Sequence, residues 1–153
     1  VDVKYAAPFL AAFQNVLPQI GFQIINQGEV IIKGKNLRTD GILIIVGLVG
    51  DLKGNVVYSM SMDDAKKIAS KMMMGMPVDE FGEMAQSALS ELANMLTANA
   101  STEFSKENVS MSISTPTLMY GKDITTKLST ENILCAEVGL DDGISVEINI
   151  SIE

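Results

Sequence analysis

Apolar residues recur at helical spacing through VKYAAPFLAAFQNVL, residues 3–17, with Pro8 in or near the first turns and Pro18 closing the segment. The next stretch, GFQIINQGEVII, alternates loosely and is interrupted by Asn26-Gln27-Gly28, which allows one bent strand or two short ones. ILIIVGL (42–48) and NVVYSM (55–60) read as strands joined across GDLKG, whose flanking glycines signal a hairpin. The first of them is apolar on both faces and is expected in the middle of its sheet.

Ser61-Met62-Asp63-Asp64 then opens a helix, the serine as its cap and the aspartates at the positive end of its dipole. That helix is expected through residues 65–74, stopping at Gly75 with Pro77 beyond. The longest helix follows, from about Asp79 to Phe104. Strands are expected at 110–114, 126–128, 133–138 and 145–151, with Asp141-Asp142-Gly143 as the turn before the last one. The order is helix, three strands, two helices, then three or four strands. This is one α+β domain over residues 1–153, a largely antiparallel sheet packed against long helices. Strands grouped on either side of the helices argue against a doubly wound parallel fold, in which they would alternate.

The long helix has an apolar side of Phe81, Ala85, Ala88, Leu89, Leu92, Leu96 and Ala100. Asn99 falls close to the angle of Phe81, so that side is imperfect near its end. The opposite stripe reads Glu80, Glu83, Ser87, Glu91, Asn94, Ala98 and Ser101. At about 100° per residue, Ser87, Glu91 and Asn94 share an arc of roughly 60°. Read blandly, they are the solvated face of an amphipathic helix. Asn, however, is a poor residue for a helix interior, because its amide competes for backbone hydrogen bonds.

Composition narrows the chemistry such a stripe can do. The chain has no histidine, which excludes Ser-His-Asp and Cys-His catalysis and the commonest zinc sites. Cys135 is its only cysteine and is read as a buried structural thiol. A formal net charge of −8 counts against nucleic-acid and anionic-membrane partners. The longest apolar run, residues 41–50, is about half the length a membrane span needs. With no cleavable signal visible, the expected location is the cytoplasm.

A carboxamide is neither a useful base nor a nucleophile, but its donor and acceptor ends can orient a water. Phosphoryl hydrolysis asks mostly for positioning and electrostatic stabilisation, and an amide can align the attacking water there. A site on one exposed helix suggests insertion into another protein's active site, with the small Ala98 one turn on permitting close approach.

Ser87-x3-Glu91-x2-Asn94 resembles the Asp/Ser, Glu, Asn pattern of the CheC/CheX/FliY family of bacterial chemotaxis phosphatases, in its CheX branch. Lys71-Met72-Met73-Met74-Gly75-Met76 upstream, Ser114-Thr115-Pro116 through Gly121 downstream, and the hairpin at 46–60 extend the likeness over nearly the whole chain. The resemblance implies hydrolysis of the aspartyl phosphate of a CheY-like response regulator. It implies that Asn94 enters the regulator's active site and positions water, while Glu91 pairs with a regulator lysine. Ser87 and Ala98 then belong to the partner-binding surface. The phosphorylated aspartate and Mg²⁺ would be the partner's, and the chain is expected to carry no cofactor or metal of its own. No Glu stands three residues before Asn15 on the first helix, so one site per chain is expected, with Gln14 and Asn15 as ordinary helix polars. The family likeness also implies a homodimer through extended sheet contact, for which residues 133–152 are a candidate edge.

Other features read as structure: Met72–Met76 as adaptable packing, and Lys33, Lys35 and Arg38 as a solvated basic loop. The rival reading is a non-catalytic CheX-like dimer that binds a receiver domain or another signalling protein. A motor-switch component is a third.

Overall fold

Two long strands and one long helix organise the chain, seen in a computed structural model that describes residues 2–153. The strands are β1 (Ile24–Gln27), β2 (Ile31–Gly50), β3 (Gly54–Met60), β4 (Met111–Ile113), β5 (Thr117–Leu140) and β6 (Ser145–Ile152). The helices are α1 (Ala7–Val16), α2 (Met62–Met72) and α3 (Glu83–Ser105), with short 3₁₀ turns flanking α1. Pairing is antiparallel throughout, in the order β1-β5-β6-β3-β2-β4, with β2 and β5 also paired to each other.

The β2–β5 ladder runs from Ile31 opposite Cys135 to Ile45 opposite Thr117. Over its middle neither strand has another partner among the described residues, so it forms a two-stranded ribbon continuous with the sheet. The segments expected separately at 126–128 and 133–138 are therefore parts of one 24-residue strand. The ribbon lacks a clean apolar alternation because most of its residues face water on both sides. The same fact corrects the basic loop. Lys33, Lys35 and Arg38 lie in β2 and pair across the ladder or sheet with Glu147, Glu131 and Asp123. Register shifts at Gly34/Asn36 and Thr39/Gly41 bend the ribbon. Gly41 is required at the second, since its φ is +127° and a Cβ there would stand 2.4 Å from the Met60 carbonyl oxygen.

Residues 42–48 of β2 are central, as their two-sided apolar pattern implies, with β3 on one side and β5 or β4 on the other. Ile42, Ile44 and Val46 join the main core under the helices, with Phe9, Phe13, Tyr58, Leu89, Leu92, Leu96 and Ile148. Leu43 points the other way, into a small second cluster with Leu37, Val57, Leu128 and Ile133. Residues 133–152 do not form the expected edge: β6 is sandwiched between β5 and β3, and this part of β5 pairs with β6, β1 and β2. Their near-continuous apolar character is that of interior strands.

Ser61 caps α2 as expected, its Oγ accepting from the Asp64 N–H at 3.1 Å. The helix ends at Met72, two residues early, where Met74 at φ 61° and Gly75 at φ 87° turn the chain and the Gly75 N–H donates to the Ser70 carbonyl. Helix α3 starts at Glu83 rather than at Asp79, with Gly82 as its extended N-cap. Phe81, in phase with the apolar face, packs edge-on against Tyr120 from outside the helix. The Gln86 amide donates to the Phe81 carbonyl at 2.9 Å and fixes that entry.

Candidate functional site on helix α3

Four contacts hold α3 in place before any site residue is considered. On its buried side, the Tyr58 hydroxyl of β3 lies 2.9 Å from Thr97 Oγ1, which itself donates to the Ala93 carbonyl at 2.7 Å. Burial pushes the Tyr58 phenol far above its ordinary pKa, so it stays a neutral donor at every physiological pH. Phe104 packs edge-on against Phe9 of α1. Asn15 of α1 donates to Asn99 at 2.9 Å and to Glu103 at 3.2 Å, which gives the polar Asn99 a partner on an otherwise apolar side. Asn15, expected as an ordinary helix polar, is thus an inter-helix bridge. Facing β4, Ser101 donates to the Met111 carbonyl at 3.3 Å, so this member of the polar stripe is tied down rather than solvated.

Asn94 lies seven residues before Ser101, within about 20° of it around the helix, so it sits on the β4 side and turns away from α1. It is half-buried, while Ser87, Glu91 and Ala98 are exposed. The rise between Glu91 and Asn94 is about 4.5 Å, so carboxylate and amide stand one above the other. Among the described residues, Ser87, Glu91 and Asn94 have no side-chain hydrogen-bond partner and Glu91 has no ion-pair partner, whereas Gln86, Thr97, Ser101 and Thr102 all bond to backbone. The predicted residues thus come together as one unengaged, outward-facing group on a helix where Gln86, Thr97, Asn99, Ser101, Thr102 and Glu103 are all engaged. Among the described residues no group of three or more His, Cys, Asp or Glu side chains could hold a metal ion. Thr97 and Tyr58 were not singled out from sequence as supports of the site; a β-branched hydroxyl in the apolar phase of a helix was the available signal.

The arrangement presents a carboxylate and a carboxamide outward from a helix that is itself held in place. The family of the chemotaxis phosphatase CheX matches residues 42–148, a stretch that contains the whole of α3. This chain belongs to the CheX family. It is 32% identical over 83 residues to the CheY-P phosphatase CheX of Thermotoga maritima, a match covering 54% of this chain and 54% of that protein, so it spans about half the length of this curated relative. CheX of Borrelia burgdorferi, solved as a CheX-CheY-BeF3-Mg²⁺ complex, is 26% identical with 99% of each chain covered and a TM-score of 0.83. CheX of Desulfovibrio desulfuricans shares the fold at a TM-score of 0.87, with 21% identity over 98% of this chain and 99% of that one. The CheC-like α+β fold expected from the element order is the fold found. No helix of the described residues is long and apolar enough to cross a membrane.

Proposed function

We propose that the chain hydrolyses the aspartyl phosphate of a CheY-like response regulator. In this reading Asn94 enters the receiver's active site and orients the attacking water through its amide. Glu91 pairs with a receiver lysine and fixes the docked geometry, and Ser87 and Ala98 line the contact. The observation that carries the reading is the unpaired state of Glu91 and Asn94 on a helix pinned by Tyr58–Thr97, Asn15–Asn99 and Ser101–Met111. Interactions preorganised on a rigid element lower the barrier most when their groups are not already satisfied. The CheX-CheY complex of the Borrelia relative supports a receiver as partner. Phosphoryl group and Mg²⁺ are then both supplied by the receiver.

Decay of a phosphorylated CheY-type receiver in Mg²⁺ buffer, with and without this protein, is the test. Acceleration is expected. Binding without acceleration across several receivers would replace this reading with the non-catalytic module.

A homodimer belongs to the same proposal. Its support is the unpaired edge of the first half of β2, where Ile31 and Ile32 are 52% and 56% exposed beside the 60% exposed Ile25 of β1. Strand addition at such an edge would cover all three. Sedimentation equilibrium is expected to give a dimer that Ile31→Lys together with Ile32→Lys converts to monomer. A wild-type monomer at tens of micromolar would sink it.

A further inference from the structure

A stable, specific protein interface buries about 800 Å² per partner, from some 20–30 residues, and even transient ones need several hundred. Ser87, Glu91, Asn94 and Ala98 are four side chains on one helix face and fall far short. Toward the C-terminus of α3, the hydroxyls of Ser101 and Thr102 are spent on the Met111 and Ala98 carbonyls. On the α1 side, Asn15 closes the surface with Asn99 and Glu103. The N-terminal end is different. Met84 is 65% exposed in the first turn of α3 and packs against neither core cluster. It lies seven residues before Glu91, about 20° from it around the axis and about 10 Å along it. Its side chain lines a groove with Met73, Pro77 and Val78 of the α2–α3 connection, flanked by Glu80 and Glu83. Both glutamates are exposed, and neither has an ion-pair partner among the described residues.

We propose that the receiver footprint continues from Glu91 onto Met84 and its groove, and that this patch sets affinity for the receiver without taking part in the chemistry. The inference rests on the receiver-phosphatase reading and deepens it. The occupant is the receiver surface beside its phosphorylated aspartate. An apolar side chain of that surface enters the groove, where a flexible, polarisable thioether adapts to its shape. A basic side chain meets the carboxylates of Glu80 and Glu83, which flank the groove at the N-terminal end of α3. Charge complementarity of this kind acts mainly on encounter and specificity.

Steady-state dephosphorylation of a phosphorylated CheY-like receiver separates the possibilities. For Met84→Asp the expected result is a KM raised about tenfold, the loss of one buried apolar side chain, with kcat within about twofold of the parent. Met84→Leu restores the parent KM. The Glu80→Gln/Glu83→Gln pair lowers kcat/KM at low salt and flattens its salt dependence, and carries the test should Met84→Asp fail to fold. An unchanged KM in Met84→Asp overturns the inference while leaving the phosphatase reading intact. So does an unchanged KM accompanied by weakened self-association, which would give the groove to a second copy of this chain. A parent protein that accelerates nothing overturns the phosphatase reading and this extension with it.

Discussion

The two faces of the molecule use their charged and polar side chains in opposite ways. On the sheet face away from the helices, Lys33 and Glu147 meet at 2.7 Å, both about a third exposed, with Cys135 buried beside them. Burial alone would raise the Glu147 carboxyl, but the hydrogen bond and charge of Lys33 outweigh it and hold the group below its ordinary value. Burial, reinforced by the Glu147 charge, pushes the Cys135 thiol up to about 11, so it stays protonated and inert. The strongest charges there are paired within the chain, although the buried Asn149 Oδ1 opposite Cys135 has no partner among the described residues. On α3, Glu91 and Asn94 have none among the described residues, although the helix beneath them is tied to α1, β3 and β4. Polar groups satisfied inside the chain serve the fold; the proposed function gives Glu91 and Asn94 their counterparts on the receiver.

That contrast can be broken by substitution, most sharply at Asn94. Asn94→Ala is expected to lower kcat on the order of 10²-fold, the scale of losing a positioning contact in a transition state. Its thermal midpoint should match the parent, because no intramolecular bond is removed. A large stability loss would mean that the amide is structural. Glu91→Ala comes next, raising KM about tenfold through loss of one charge-assisted contact, with a smaller effect on kcat. The smallest effect belongs to the opposite face. Glu147→Gln should leave turnover unchanged and cost about 0.5–1 kcal/mol at neutral pH, as expected for a half-exposed pair. Because the folded carboxyl titrates below its unfolded value, its contribution is present above the unfolded pKa and is lost as pH falls through the folded one. Urea midpoints from pH 7 down to pH 3 should therefore fall less steeply for Glu147→Gln than for the parent. Parallel curves would deny Glu147 its role.

Periodicity read well wherever one face of an element is buried. The 3.6-residue pattern gave α1 and α3, and the two-sided apolar run at 42–48 gave the central part of β2. It failed where burial is absent. The ribbon halves of β2 and β5 are held by ladder bonds and cross-strand ion pairs rather than by an apolar face, so their charged residues read as loop. The start of α3 was misplaced because Phe81 keeps helical phase while packing from outside on Tyr120. Ser87, Glu91 and Asn94 were legible because a helix converts spacing into direction, and an Asn in mid-helix needs a reason. Their lack of partners was not legible, since it depends on what α1 and β4 take up. Met84 escaped notice for the same cause: a methionine in a first turn reads as core until the core is seen to be complete without it.

The most direct test of the account is single-turnover decay of a phosphorylated CheY-like receiver under saturating parent protein or saturating Asn94→Ala, with complex formation checked on the beryllofluoride-loaded receiver. The expected result is tight binding by both, with decay accelerated by the parent and close to the receiver's own rate in the variant. Acceleration that survives in bound Asn94→Ala would contradict it, and would move the water-orienting group off Asn94.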